Sequence, residues 1–156
     1  MLGILEEGLR EAMASTPQIL YCVAAGNSDS DVEFDVSIPA NFDLDNMIVV
    51  GAVDQAGERT SFTSMGENVV VYANGFEVES YVPGGGRQAA NGTSMASPNA
   101  ANLAIKLITV DPELSTSEVI SLIEDGADQL EGAGGLKLLN PAESMALLLA
   151  RQQSSR

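Results

Sequence analysis

Eight consecutive residues, Asn91-Gly92-Thr93-Ser94-Met95-Ala96-Ser97-Pro98, place a serine where a helix should begin. In a first helical turn the backbone N–H groups lack intrahelical acceptors, and the dipole end is positive. A carbonyl attacked by Ser94 would develop its oxyanion beside those groups and be stabilised there. Pro98 has no N–H, so the hydrogen bond it would give the Ser94 carbonyl is missing, and the turn behind the serine differs from ordinary helix. Read alone, the octet also suits an N-cap whose small residues permit close packing. Gly26-Asn27, which closes an apolar run, reads by itself as a turn after a strand. A base for the serine is harder to find. The chain has no histidine, and Lys106 lies about three helical turns beyond Ser94, out of reach. A hydroxyl without a base is a weak nucleophile.

The rest of the composition narrows what these residues can serve. At 156 residues with 45% hydrophobic content, the chain is long enough for one domain with a buried core. Seven basic against 22 acidic residues give a net charge of −15. That balance excludes nucleic acid as a partner, because phosphate binding needs clustered Lys and Arg, and it opposes docking on an anionic membrane. No apolar run approaches the roughly 18 residues of a membrane span. Glu6 and Glu7 interrupt the first segment where an export signal would be apolar, and the localisation is left unknown. A single cysteine, Cys22, rules out an internal disulfide; within an apolar strand it is expected to be buried and inert.

The elements that must position the serine follow from periodicity. Leu2, Leu5, Leu9 and Met13 lie at helical spacing, and Thr16-Pro17 stops that helix. Ile19–Ala25, Met47–Val53 and Val69–Ala73 are continuous apolar runs, as expected of strands covered on both faces of a parallel sheet. Phe76–Tyr81 alternates, and a Val82–Gly86 turn returns the chain through Arg87–Ala90 as a hairpin. Gly84-Gly85-Gly86 lacks the Lys-Ser/Thr of a phosphate loop and reads as the hairpin tip. Ala96, Ala100, Leu103, Ala104, Leu107 and Ile108 give the serine's helix a wide apolar face full of small residues, so it is expected to be central. Ser115 and Glu118 form a capping box for a helix ending at Gly126, and Asn140-Pro141 opens a last helix to about Ala150. The fold class expected is α/β, one compact unit.

The octet resembles the nucleophile motif of the subtilisin-like serine proteases, the subtilases. It is not the Gly-x-Ser-x-Gly elbow of α/β-hydrolases, since Ala96 stands at the second glycine. Val23-Ala24-Ala25-Gly26-Asn27-Ser28 resembles the subtilase strand end that presents an oxyanion-hole asparagine, and the separation 94 − 27 = 67 suits the family. Ile38-Pro39-Ala40 resembles the segment near the floor of the S1 pocket, where the family often has a cis proline. Met47–Gly66 and Gly135–Ala142 also look like family segments, so the resemblance covers about residues 18–148. Asn99 departs from the family's frequent, non-catalytic histidine. The resemblance implies a three-layer, doubly wound, mostly parallel sheet of which this chain is the C-terminal half, residues 1–150, followed by a frayed polar tail, 151–156. It implies Ser94 as nucleophile and Asn27 as oxyanion donor, with Ala24, Ala25, Gly26, Ser37, Gly92 and Thr93 binding substrate.

Subtilase triads run in the order Asp, His, Ser. The resemblance therefore places the Asp and His upstream of Met1, and the partners expected are a peptide or protein substrate and the N-terminal half of the catalytic domain. Loss of the histidine in subtilisin costs roughly 10⁶ in kcat, so the isolated chain is expected to be inactive. Sedolisins use Glu for His but place an aspartate where Asn27 stands. The contrasting expectation is an inactive half-domain that binds a peptide or partner, with self-association through an open Ile19–Ala25 edge. No cofactor is required. Asp29, Asp31, Glu33 and Asp35 alternate after Asn27 and read first as a solvated acidic loop; extended, they would instead point one way and favour Lys or Arg in S1, or hold calcium, though the loop lacks an EF-hand's glycine.

Overall fold

The computed structural model describes residues 2–34, 37–130 and 135–154. Its elements in chain order are α1 (Leu2–Ala14), β1 (Tyr21–Ala24), β2 (Met47–Val53), β3 (Val69–Asn74), β4 (Val78–Tyr81), β5 (Arg87–Ala90), α2 (Thr93–Val110), α3 (Thr116–Asp125), β6 (Asp128–Gln129), β7 (Lys137–Leu138) and α4 (Pro141–Ser154). Strands β1, β2, β3 and β7 are parallel neighbours and β6 runs antiparallel on β7, in the order β1-β2-β3-β7-β6. This is a mostly parallel α/β sheet, as the apolar runs implied. The hairpin β4–β5 stands apart as a separate two-stranded sheet.

Strand β2 explains the layering. It is buried along its whole length, and alternate residues serve opposite faces. Ile48, Val50 and Ala52 pack with Ala96, Ala100, Leu103 and Leu107 of α2 and with Leu122 of α3. Met47, Val49 and Val53 join Val23, Val32, Phe42 and Tyr72 on the other face. Gly51 also faces that side, where a Cβ would fall 2.3 Å from the Tyr72 ring. The small residues of α2 bring its axis close to the sheet, which makes it the central helix. The α3 capping box forms as expected: Ser115 Oγ accepts from Glu118 N–H at 3.3 Å, and Glu118 Oε2 accepts from Ser115 N–H at 2.9 Å.

Four expectations need correction. Helix α1 forms, but of its apolar stripe only Met13 is seen to be buried; Leu5 and Leu9 are 70% and 42% exposed. The Leu2 side chain lies outside the described residues. Asn46 ties this helix down, its buried amide donating to the carbonyls of Met13, Thr16 and Ile19 at 3.0, 3.0 and 3.1 Å. Strand β4 starts at Val78, two residues late, because Asn74 Oδ1 accepts from Phe76 N–H and Glu77 takes a φ of 51° to close a turn. Cys22 is half-buried, since β1 is an edge strand; the same partial burial pushes its thiol up to about 11. Finally, α4 continues to Ser154, so residues 151–154 of the expected tail are helical, while Ser155 and Arg156 lie outside the described residues.

Candidate active site

The turn after β1 is built around Gly26. Its φ of 110° suits glycine, and a Cβ there would lie 3.1 Å from both Ser37 Oγ and Ser64 Oγ. Ser64 N–H donates to the Gly26 carbonyl at 3.0 Å, and Ser37 Oγ donates to the carbonyl of buried Ala25 at 3.3 Å. Thus Ala24, Ala25, Gly26 and Ser37 lie together at the carboxyl end of β1. The Ile38–Pro39 peptide near them is cis.

This turn meets the start of α2 through a closed set of hydrogen bonds. Gly26 N–H donates to Thr93 Oγ1 at 3.1 Å, and Thr93 Oγ1 donates to Asn27 Oδ1 at 3.0 Å. Thr93 N–H also donates to Asn27 Oδ1, at 2.9 Å. The backbone N–H can only donate, so the atom facing it must be the amide oxygen, and the Asn27 Nδ2 donors point elsewhere. Asn27 thereby caps α2 from another part of the chain. Gly92 at the N-cap has no side chain to do so, and a Cβ on it would come within 3.3 Å of Asn27 Nδ2. Its φ of 151° is again suited to glycine.

Ser94, the next residue of α2, is exposed, as is Asn27. Among the described residues no side chain hydrogen-bonds its hydroxyl. Thr93, by contrast, is fully buried at 0% exposure, with its hydroxyl occupied on both sides. Its side chain is a positioning group between the two turns rather than a surface for a ligand. Chemically, the first-turn N–H groups of Thr93 and Met95 are taken by Asn27 Oδ1 and the Gly92 carbonyl, so the Ser94 N–H between them is the one that an oxyanion held over this turn could use. What is absent from this chain is an imidazole to accept the serine proton. Behind the serine, Pro98 removes one helical hydrogen bond, and Asn99 Nδ2 donates to the Met95 carbonyl at 3.2 Å and to the Asn74 carbonyl at 3.3 Å.

The acidic segment does not form an extended row. Val32–Phe34 is a turn, Asp29 takes a φ of 49° and pairs with Arg59 at 3.2 Å, and Glu33 Oε1 accepts from Asn68 N–H at 2.8 Å. These carboxylates tie the loop to residues 59–68, so they do not point one way; Asp35 lies outside the described residues. Among the described residues no three His, Cys, Asp or Glu side chains come together as a metal site. The structure also places a groove of about 1000 Å³ at the opposite, amino ends of β1 and β2.

The structure thus sets an exposed serine in the first turn of α2, next to a threonine that is hydrogen-bonded to the end of a parallel strand. The comparisons with known proteins give the family. The subtilase family profile matches residues 5–140, and the chain belongs to that family of serine proteases. It is 38% identical over 127 residues to subtilisin DY of Bacillus licheniformis, covering 81% of this chain and 45% of the relative. It is 37% identical over 113 residues to a subtilisin of Bacillus pumilus, covering 72% and 40%. The chain therefore spans less than half the length of these relatives. Among solved structures, a cold adapted subtilisin-like serine proteinase matches with a TM-score of 0.75 at 27% identity, over 88% of this chain and 50% of its own. The self-cleaved protease domain of PatA matches with a TM-score of 0.73 at 25% identity, over 94% and 55%.

Proposed function

We propose that this chain supplies the nucleophile and one side of the oxyanion hole of a serine endopeptidase. Ser94 attacks the scissile carbonyl of a peptide or protein substrate. The Asn27 amide and the Ser94 backbone N–H then donate to the oxyanion. Ala24, Ala25, Gly26 and Ser37 form part of the pocket for the residue before the cleaved bond, with the Gly92 backbone beneath the scissile carbonyl. The histidine that takes the serine proton and the aspartate that orients it come from polypeptide outside this sequence, in the same or a separate chain. No cofactor enters the reaction.

The observation that supports this reading is the double anchoring of Asn27 Oδ1 by Thr93 N–H and Thr93 Oγ1, which ties Asn27 to the residue before Ser94 and leaves Nδ2 outside these two bonds. Co-expressing the chain with the part of subtilisin DY outside the matched segment, and following hydrolysis of a fluorogenic peptide, tests it. Hydrolysis that disappears with Ser94→Ala is expected; hydrolysis that survives this change refutes the assignment. A second reading is a non-catalytic half-domain that binds peptide, and the lack of any histidine favours it. Peptide binding with no turnover in the complex would select it.

A further inference from the structure

Along the flank of α2 that faces β3 lies an open cavity of about 610 Å³ whose lining does not include Ser94. Asn99, Asn102 and Lys106 enter it at helical spacing, and Asn99 Nδ2 ties the helix to the Asn74 carbonyl at the end of β3 at 3.3 Å. Much of the remaining lining is apolar, from Val53, Ala73, Leu138, Leu139 and Pro141. Lys106 is the unusual member. Arg10, Arg59, Arg87 and Lys137 pair with Glu7, Asp29, Glu79 and Glu124. Yet in a chain with 22 acidic residues, Lys106 has neither an ion-pair nor a hydrogen-bond partner among the described residues. The Asn102 amide is equally unengaged. Asp54, also in the lining, accepts the Ala56 and Glu58 N–H groups on Oδ1 at 2.9 and 3.0 Å, and its Oδ2 lies outside those bonds.

The fold sets the two charges apart. Val53 is in register with Asn74, so Asp54 lies just past the carboxyl ends of β2 and β3, level with Asn99. Helix α2 runs back from there toward the amino ends, where Ile108 shares a groove with Met47. Lys106, seven residues beyond Asn99, is therefore about 10 Å from that level along the helix axis. A carboxylate and an ammonium at the two ends of one cavity suit a ligand with opposite charges at its own ends. An extended peptide of three residues spans about 10 Å. Resting on the peptidase reading above, we infer that this cavity binds a zwitterionic peptide of about three residues, the kind of molecule proteolysis releases. Its ammonium meets Asp54 Oδ2, and its carboxylate meets Lys106 Nζ and Asn102 Nδ2. The Asn99 amide oxygen, whose nitrogen already serves two carbonyls, accepts a peptide N–H, and small apolar side chains pack on Leu138 and Leu139. Other ligand classes fit less well. A simple anion meets Asp54 and a net charge of −15, and a sugar finds no aromatic ring in the lining.

Trialanine titrated into the isotope-labelled chain, followed by heteronuclear NMR, is the test. Saturable shifts of the Asn74 and Asn102 side-chain amides and of the Leu139 N–H are expected, with a Kd of about 1 mM. Lys106→Gln, on the exposed helix surface, should weaken binding about tenfold. Asp54→Asn should do the same, since asparagine keeps the Oδ1 that holds the turn to Ala56 and Glu58. Trialanine blocked at its amino or its carboxyl end should lose about as much. Arg87→Gln removes a charge on the hairpin, outside the cavity, and should change binding by less than about twofold. No saturable shift at about 20 mM peptide, well above that Kd, would overturn the inference. So would binding indifferent to both cavity variants or to the blocked ends, or shifts centred on Gly26, Asn27 and Ser94 instead. Trialanine bound as expected, beside a complex that hydrolyses nothing, would refute the catalytic reading alone. Hydrolysis that depends on Ser94, with no trialanine bound, would refute the cavity alone.

Discussion

Replacing Thr93 with valine keeps the shape of a fully buried side chain and removes only its hydroxyl. Two hydrogen bonds go with it, one accepted from Gly26 N–H and one donated to Asn27 Oδ1. At about 1 kcal/mol net for each, plus about 1–2 kcal/mol for leaving the Gly26 N–H without an acceptor, the loss is about 3–4 kcal/mol. Asn27→Ala removes the bonds from Thr93 N–H and Thr93 Oγ1, for about 2 kcal/mol. The two changes share one hydrogen bond, so the double variant should fall short of the sum by about 1 kcal/mol. Urea unfolding of the four proteins at low micromolar concentration measures this. With a slope of about 2 kcal/mol per molar urea, Thr93→Val lowers the midpoint by about 1.5–2 M with the slope unchanged. Additivity within about 0.3 kcal/mol, or a midpoint shift under about 0.5 M, would show that the ring linking the two turns does not exist in solution.

Other outcomes follow from the same geometry. Gly26→Ala should destabilise by about 1–3 kcal/mol, because φ of 110° is strained for alanine and the new methyl meets Ser37 and Ser64; a midpoint equal to that of the unchanged chain would contradict it. Asn46→Asp places a carboxylate against the carbonyls of Met13, Thr16 and Ile19, and limited proteolysis should then clip α1 much faster than in the parent chain. The Cys22 thiol, raised from its ordinary 9.0 to about 11 by burial, ionises first in the unfolded chain. Its contribution to stability is complete below about pH 9 and is lost as the pH rises toward 11, and Cys22→Ala should flatten that slope. In the reconstituted complex, Asn27→Ala should lower kcat by about 10²–10³ with little change in KM.

The apolar runs made the sheet legible, because β2 and β3 are covered on both faces and need no alternation. The small residues at 96, 100 and 104 announced the close approach of α2, and Ser115 with Glu118 announced α3. Strands β6 and β7 left no such trace. Each is two residues long and exists through tertiary pairing, chiefly Tyr72 opposite Leu138, rather than through its own composition. The acidic segment misled for a related reason: its alternation suggested an extended row, yet Arg59 and the Asn68 N–H, about thirty residues on, fold it back. Asn46 showed no local signal for its three carbonyl partners. At the site, Ser94 and Asn27 were legible through motif resemblance. The part played by Thr93 was not, since its two hydrogen bonds reach a turn 66 and 67 positions away and only the fold brings them together.

The most direct test of the central claim is covalent labelling by a fluorophosphonate, followed by peptide mapping, of this chain alone and of its complex with the unmatched part of subtilisin DY. A serine reacts with such a probe only when a base takes its proton. The account predicts a single adduct on Ser94 in the complex, none on the chain alone, and none in either after Ser94→Ala. Equal labelling of the isolated chain, or an adduct on a different residue of this chain in the complex, would contradict it.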